Sequence, residues 1–363
     1  MIDMRITSRD PGAASLLSHL ILEPSLLDNH NCDIWITENV AGYFSGLDLP
    51  TRTFPRPPDQ AELLQEWDRN PARSILTGTS HYTAFDALFW DLGKRRSVPT
   101  LAVVDYWSNL ERRFKDSEPD RIGVIDDEQA REARRLGLPE AIITGHPRLA
   151  AIRGLPDKAP KDRVTVLFVS ERIAGDVADG VNDPYGFDEI DVFRLVTEAG
   201  RKAAAAGIQT DLVVKFHPYN DRNEILNALG TPADDSALSI DFIDGNEPIA
   251  PLIVACDLVV GMSSVALIEA ALMGRPVVSV QPGLIREDMF VPAVRGFAET
   301  QTDPDSAVQY VSDLIANSEK RREVSDRLQG FRSCVDTSGS TPVSDWLRSV
   351  LSSSVSGTAT EPA

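Results

Sequence analysis

Apolar residues recur along this chain in short runs that alternate with segments of helical periodicity. In the first 150 residues, runs that predict strands lie at 4–7, 32–37, 74–76, 100–105, 121–125 and 141–144. Segments that predict helices lie at 13–22, 82–94 and 127–136. Strands that alternate with helices in this way are typical of βαβ units with a parallel sheet. Residues 1–150 are therefore expected to form one doubly wound α/β domain.

A second alternation of the same kind follows after a break. Its predicted strands lie at 164–169, 211–216, 238–243, 258–260 and 277–280. Its predicted helices lie at 191–206, 221–229, 249–255, 264–273, 306–317, 319–328 and around 343–351. The last of these helices could also pack back across the first domain. Residues 163–351 are therefore expected to form a second Rossmann-like domain.

The segments outside these domains lack apolar periodicity. Residues 151–162 carry two prolines and several charges, which predicts a linker between the domains. Residues 352–363 are small or polar and are expected to be a disordered tail.

Composition narrows the class of protein. A chain of 363 residues exceeds the size at which single cores stop growing, about 250 to 300 residues, which agrees with two domains. The net charge of −19 argues against a surface that binds nucleic acid. The three cysteines are far apart and lack CxxC spacing, which predicts incidental thiols rather than disulfides or a zinc site. No apolar stretch approaches the roughly 20 residues of a bilayer span and no signal peptide is evident, so a soluble cytoplasmic protein without a transmembrane segment is expected.

The segment 255–280, ACDLVVGMSSVALIEAALMGRPVVSV, combines a buried strand, a serine cap and an apolar helix. The strand ends at Gly261, and Ser263 and Ser264 can cap the helix that follows. A helix N-terminus at the end of a strand presents free N–H groups and the positive end of a dipole, which suits a phosphate. Glu269 lies on this mostly apolar helix, where it either faces solvent or needs a partner from protein or ligand.

A second signal is the sequence VVKFHPYND at 213–221. It predicts a strand that ends at Phe216, with His217 and Pro218 directly after it. In open α/β sheets, residues that bind ligands follow the carboxyl ends of the strands. The imidazole of His217 can donate a hydrogen bond to a phosphate oxygen. A purely structural role for this histidine is an equally good interpretation.

These two signals together resemble a known pattern. Lys215-Phe216-His217-Pro218, followed by Ser263-Ser264, is similar to the HP and SS/ST motifs of bacterial sialyltransferases, polysialyltransferases and capsule-polymer transferases. The segment from Ser264 to Pro276 resembles the E-A-x-x-x-G-x-P element of the GT-B glycosyltransferase superfamily. The resemblance implies an α/β, GT-B-like fold in which two doubly wound Rossmann-like domains face a central cleft.

The resemblance also implies a nucleotide site in the second domain. It implies that His217, Ser263 and Ser264 bind the nucleotide phosphate and that Glu269 contacts the ribose. The whole predicted site comprises Lys215, His217, Pro218, Gly261, Ser263, Ser264 and Glu269. The similarity covers residues 164–280, and the first domain matches only in architecture. The acidic D/E-D/E-G motif of several sialyltransferase families is not found there.

The first domain offers candidates for a catalytic base at three strand-to-helix junctions. A glycosyl transfer needs a base that takes the proton of the acceptor hydroxyl. We rank Asp105 first, His81 second and Asp10 third, and each of them has a structural alternative such as capping a turn. The aromatic residues Tyr106 and Trp107 are expected to give a sugar an apolar or stacking surface beside Asp105. No convincing DxD sequence is present, so neither a metal nor a bound cofactor is expected.

The sequence thus favours a glycosyltransferase that uses a nucleotide-sugar donor, with a cytidine-monophosphate sugar preferred by the motifs. A glycan or glycolipid acceptor in surface polysaccharide synthesis is expected. A nucleotide-sugar 2-epimerase, which needs several acidic groups around the sugar, stays open. So does a catalytically silent module that binds a nucleotide or glycan. Glycerophosphate transfer is a further alternative, and the negative charge of the chain counts against it.

Overall fold

The computed structural model describes most of the chain. The described residues are 2–22, 26, 30–80, 84–152, 162–180, 182–220, 222–229, 237–245, 247–335 and 341–353. Contacts divide the chain into two compact units, of which the first comprises Met1–Ala151 with Val335–Ala363 and the second Ile152–Cys334. Most of the predicted linker, 153–161, and the tail residues 354–363 lie outside the described residues.

The first unit is built on a parallel sheet in the order β3-β2-β1-β4-β5-β6-β7. Most of these strands are buried along their length, as expected for a sheet covered on both faces. The strands are β1 (Met4–Ser8), β2 (Cys32–Thr37), β3 (Thr51–Phe54), β4 (Ile75–Thr77), β5 (Thr100–Val103), β6 (Arg121–Val124) and β7 (Glu140–Ile143). The chain runs outward from β1 in both directions, so the strand order reverses between β1 and β4.

Helices of the first unit connect these strands. They are α1 (Pro11–Leu22), a 3₁₀ helix (Glu38–Phe44), α2 (Gln60–Arg69), α3 (Phe85–Arg96), α4 (Leu110–Arg113), α5 (Asp127–Arg135) and α6 (Pro147–Ile152). Helix α1 begins at a proline directly after Asp10, whose side chain caps it.

The last helix of the chain belongs to the first unit. The sequence-based boundary placed residues up to 351 in the second domain, whereas contacts group the segment from Val335 onward with the first unit. This grouping agrees with the alternative that the last helix packs back across the first domain. Val343, Trp346 and Leu347 recur at helical spacing and are buried in the core formed by α1, β1 and β2. Burial of this apolar stripe against the first sheet is the physical reason for the assignment.

The second unit contains a parallel sheet in the order β10-β9-β8-β11-β12-β13. Its strands are β8 (Val164–Val169), β9 (Thr210–Lys215), β10 (Leu238–Ile243), β11 (Leu258–Gly261), β12 (Val277–Val280) and β13 (Thr300–Gln301). The strand order reverses between β8 and β11. Open α/β sheets bind ligands at such a reversal, beyond the carboxyl ends of the strands.

The helices of the second unit pack with its strands into one hydrophobic core cluster among the residues that the structure describes. They are α7 (Ile173–Ala178), α8 (Glu189–Ala205), α9 (Arg222–Leu229), α10 (Ile249–Ala255), α11 (Val265–Leu272), α12 (Val291–Val294), α13 (Pro304–Ala316) and α14 (Ser318–Cys334). The last helix of the chain, which belongs to the first unit, is α15 (Thr341–Ser353). The prediction of two doubly wound, parallel-sheet α/β domains is confirmed.

Two further features bear on the sequence-based expectations. The cysteines are free thiols, and Cys32 and Cys256 are buried in the two cores. Burial raises the pKa of the Cys32 thiol to about 12, so this thiol stays protonated and unreactive. Within the described ranges, no helix is long and apolar enough to cross a membrane.

Candidate functional site

The predicted phosphate site lies where the strand order of the second sheet reverses. β11 ends at Gly261, and after Met262 the chain turns through Ser263 and Ser264 into α11. The Ser264 hydroxyl accepts a hydrogen bond from the Ala266 N–H at 3.1 Å, so Ser264 is the N-cap, as the sequence predicts. The N–H groups of Ser263 and Ser264 remain as donors at the positive end of the helix.

These donors hold a carboxylate of the protein itself. Glu171 Oε1 accepts from the N–H of Ser263 at 2.6 Å and of Ser264 at 2.8 Å. Glu171 Oε2 accepts from the Ser263 hydroxyl at 3.1 Å. Burial raises the pKa of the Glu171 carboxyl, while the bonds from the two serines favour its charged form. The arrangement shows that this helix end accommodates an anion, and sequence analysis missed Glu171.

His217 and Pro218 follow β9 at the same edge of the sheet. The His217 Nδ1 accepts a hydrogen bond from the Tyr219 N–H at 3.3 Å, which leaves Nε2 as the protonated nitrogen of the neutral ring. Burial lowers the pKa of His217, so the neutral ring is favoured. A Cβ on Gly245 would approach the His217 carbonyl oxygen to 2.6 Å, so only glycine allows that loop to pack against this turn.

Asn220 connects the His217 turn to the Glu171 segment. Its Oδ1 accepts from the His217 N–H at 2.8 Å. Its Nδ2 donates to the Glu171 carbonyl oxygen at 3.3 Å and to Glu189 Oε1 at 3.1 Å. A cavity of about 330 Å³ beside these residues is lined in part by Arg172, Glu189 and Asn220. The turn after β8 and the turn after β9 therefore form one hydrogen-bonded unit.

Three other residues of the predicted nucleotide site, Lys215, Gly261 and Glu269, also contribute to the packing of the second unit. The buried Lys215 ammonium donates to the carbonyl oxygens of Phe216 and Gly245, and burial lowers its pKa. A Cβ on Gly261 would come within 2.6 Å of Leu267, so this glycine allows α11 to pack closely against β11. Glu269 is 1% exposed, more than one turn into α11 from Ser264. These placements give each residue a packing role beside the proposed ligand role.

In the first unit, Asp10 lies at the reversal of strand order, after β1. Its Oδ1 accepts from the N–H groups of Gly12 at 2.8 Å and Ala13 at 3.3 Å, so it caps α1. Its Oδ2 accepts no hydrogen bond from the described part of the chain. Burial, and next the negative charge of Asp105, raise the pKa of Asp10 to about 6. This is the condition for a carboxylate that exchanges a proton near neutral pH.

Asp105 follows β5 and is fixed by an arginine. Arg113, on α4, donates from Nη1 to Asp105 Oδ1 at 2.8 Å and to the Thr79 hydroxyl at 2.8 Å. The exposed fractions of the Arg113 and Asp105 side chains are 4% and 13%. A Cβ on Gly12 would overlap Asp105 Oδ2 and lie 3.1 Å from Asp10 Oδ1, so the two carboxylates flank this glycine. Asp105 thus serves as an ion-paired neighbour of Asp10.

A third carboxyl group, Asp86, belongs to the same cluster. It lies in the first turn of α3 and is 2% exposed. No other described residue donates a hydrogen bond to either of its carboxyl oxygens. Burial, and then the charges of Asp10 and Asp105, raise the pKa of Asp86 well above the usual range. A buried carboxyl without a partner is kept neutral, and such groups concentrate at functional sites.

The remaining first-domain candidates have different outcomes. His81 lies outside the described residues, so its ranking as a base stays a prediction. Trp107 was expected to offer a stacking surface, and this is wrong, because it is buried with its Nε1 bonded to Asp126 Oδ2 at 2.5 Å. His146 is also buried, donates from Nε2 to the Asp105 carbonyl at 3.2 Å, and has its pKa lowered to about 3 by burial.

Among the residues that the structure describes, no group of three or more His, Cys, Asp or Glu side chains is placed to hold a metal ion.

Comparisons with known proteins identify the fold. No protein-family model matches the sequence, and no curated protein matches it. The glycosyltransferase of kitacinnamycin has a TM-score of 0.65 at 14% identity, over 96% of this chain and 98% of its own. UDP-GlcNAc 2-epimerase from Neisseria meningitidis, bound to UDP-GlcNAc, has a TM-score of 0.63 at 11% identity, over 96% of this chain and 99% of its own. Anabaena HepE in complex with UDP-glucose has a TM-score of 0.60 at 14% identity, over 96% of this chain and 99% of its own.

These similarities extend over nearly the whole chain, but identities this low establish the fold alone. They agree with the two parallel-sheet α/β domains of this chain. The chain therefore has the two-domain α/β fold of GT-B glycosyltransferases, which is also the fold of the similar 2-epimerases.

Proposed function

We propose that this protein is a glycosyltransferase that uses a nucleotide-sugar donor, with the donor phosphate bound at the start of α11. The observation that carries the proposal is the set of anion-binding donors at Ser263 and Ser264, at the reversal of strand order in the second sheet. Phosphates bind at such positions in open α/β folds. His217 follows the neighbouring strand β9 and is proposed to donate from Nε2 to the same phosphate.

The donor is proposed to be a uridine diphosphate sugar. Similar structures whose names give a nucleotide carry UDP, UDP-glucose or UDP-GlcNAc. These names give no support to the CMP sugar that the motif resemblance favours. The acceptor is proposed to be a hydroxyl of a glycan or glycolipid.

Asp10 is proposed as the catalytic base in place of Asp105. The acceptor oxygen would attack the anomeric carbon while the bond from that carbon to the donor phosphate breaks. The hydroxyl proton would pass to Asp10 Oδ2. Asp10 suits this role because its pKa of about 6 lies near the working pH, whereas an oxygen of Asp105 is held by Arg113. The leaving phosphate would be stabilised by N–H donors and His217. The reaction is therefore proposed to need no metal, and activity is expected to survive EDTA.

A panel of nucleotides tests the proposal. Unfolding temperatures would be measured with UDP, CMP, GDP and AMP, each with and without EDTA. A nucleotide present at 100 times its dissociation constant stabilises the folded state by about 2.7 kcal/mol. We expect stabilisation by UDP that EDTA does not remove. If no nucleotide stabilises the protein, the proposed donor site is refuted.

A 2-epimerase is the second candidate, favoured by a specific observation. Asp10, Asp86 and Asp105 interact electrostatically in one cluster, and an epimerase needs several acidic groups around the sugar. Incubation with UDP-GlcNAc alone distinguishes the activities, because an epimerase forms the C2 epimer without an acceptor. Nucleotide binding with neither epimer formation nor transfer to any acceptor would identify a catalytically silent binding module instead.

A further inference from the structure

The donors assigned above to the nucleotide phosphate are all engaged by one side chain. Glu171 bonds to both serine N–H groups and to the Ser263 hydroxyl. The Ser264 hydroxyl is used as the cap of α11. A phosphate oxygen and a carboxylate oxygen are both anionic acceptors and cannot occupy the same place. A phosphate can therefore bind here only if the Glu171 carboxylate leaves.

The backbone around Glu171 is fixed, so the side chain rather than the strand must move. The Ser170 N–H donates to the Lys215 carbonyl at 2.9 Å, which continues the pairing of β8 with β9. Asn220 donates to the Glu171 carbonyl oxygen at 3.3 Å. Rotation about side-chain bonds alone can withdraw the carboxylate while these backbone contacts persist.

We propose that Glu171 is a specificity-determining residue of the donor site, because its carboxylate competes with the donor phosphate for the N–H groups of Ser263 and Ser264. This inference rests on the proposed function, since it takes the start of α11 as the phosphate site. Ligands that bring a strongly charged phosphate group can displace the carboxylate. Ligands without a phosphate, such as a nucleoside, gain nothing from its displacement.

The competition predicts a defined change in affinity when Glu171 is replaced. If the state with the carboxylate withdrawn is populated at about 1 to 10%, the apparent affinity for phosphate is reduced by that fraction. The substitution Glu171→Ala removes the competitor, so UDP is expected to bind about 10- to 100-fold more tightly. Glu171→Gln keeps an acceptor oxygen without the charge, and an intermediate gain is expected.

Two further variants separate contact from general charge. Glu171→Asp keeps the charge but is shorter by one methylene group, so it cannot hold the same three bonds and should also bind UDP more tightly. Glu198→Ala removes one negative charge from an exposed position on α8 of the same domain. It should leave the affinity for UDP unchanged within about twofold, because exposed charges at a distance are screened.

The experiment is calorimetric titration of the wild-type chain and the four variants with UDP, pyrophosphate and uridine. Pyrophosphate reports on the anion site without the base, and uridine on the base without the phosphate. Tighter binding of UDP and pyrophosphate by Glu171→Ala, with uridine unaffected, is the expected result.

Other results have distinct meanings. Equal or weaker binding of UDP by Glu171→Ala than by the wild type overturns the competition while leaving the donor site intact. Binding of pyrophosphate but not of UDP by every variant refutes the proposed nucleotide donor, and the effect of Glu171→Ala on pyrophosphate then decides the competition separately. Absence of binding by every variant refutes both proposals.

Discussion

The buried carboxyl of Asp86 gives a quantitative prediction about stability. It is 2% exposed, no other described residue donates a hydrogen bond to either oxygen, and its raised pKa favours the protonated form in the folded protein. In the unfolded chain it ionises at a pKa near 3.9. Above that pH, folding requires the uptake of a proton, and stability falls as the pH rises. The substitution Asp86→Asn keeps the shape and removes this requirement.

The size of the effect follows from proton linkage. Below about pH 4 both states are protonated, and the variant differs from the wild type only by a constant offset for the buried amide. Between pH 4 and the raised pKa of the folded state, the difference should grow in favour of the variant by up to about 1.4 kcal/mol for each pH unit. The offset does not depend on pH. The change with pH of the difference in free energy of unfolding therefore reports the proton uptake of Asp86 alone.

Tryptophan fluorescence can measure the free energy of unfolding of the first unit, which contains Asp86. All five tryptophans of the chain lie in the first unit, so their emission reports on its unfolding by urea. Free energies of unfolding would be compared for the wild type, Asp86→Asn and the control Asp116→Asn between pH 4 and 8. Asp116 is exposed, so its substitution changes the charge without changing a buried group. A difference for Asp86→Asn that is independent of pH would show that Asp86 is ionised in the folded protein and would refute the reasoning.

Two other predictions concern the first domain. Arg5 and Asp33 form a fully buried ion pair at 2.6 Å between β1 and β2, so Asp33→Asn should lower the free energy of unfolding by about 3 to 5 kcal/mol in the same fluorescence assay. A loss below about 1 kcal/mol would mean that the Arg5 charge is compensated in another way. The rate of the wild type should rise with pH through about 6, as Asp10 loses its proton, and Asp10→Asn should lower the rate about 10²- to 10⁴-fold and flatten this profile. A similar loss in Asp105→Asn but not in Asp10→Asn would return the base to Asp105.

The buried strands could be predicted from sequence almost to the residue. The bounds of β2, β8 and β12 equal the predicted ranges, because strands of a covered parallel sheet are mostly apolar or β-branched runs. The bounds of the edge strand β10 were also predicted, because Leu238, Ile240 and Phe242 alternate with polar or less buried residues. Strand β3 was missed because three of its four residues are exposed at the edge of the sheet. Helix α2 was missed because only Leu63 and Trp67 of its residues are buried. Weak amphipathic elements of this kind are fixed by tertiary contacts that the local pattern does not contain.

The site was predictable in part for the same reason. Ser263 and Ser264 stand in a local strand-to-helix pattern, so their place at the start of α11 followed from neighbouring residues. Glu171 reaches Ser263 across 92 positions of sequence, and nothing near it marks the contact. Arg113 likewise reaches Thr79 across 34 positions, and it fixes Asp105, which sequence ranked as the free base. These roles depend on contacts between residues that are far apart in the sequence, and residue type alone does not reveal such contacts.

A crystal structure of the protein with UDP tests the central claim most directly. We predict that a phosphate lies within about 2.7 to 3.1 Å of the N–H groups of Ser263 and Ser264, with the Glu171 carboxylate withdrawn from both. The His217 Nε2 should donate to the same phosphate. A phosphate bound in the first domain, or UDP bound while Glu171 keeps its hydrogen bonds to both serines, would contradict the claim that the start of α11 is the donor phosphate site.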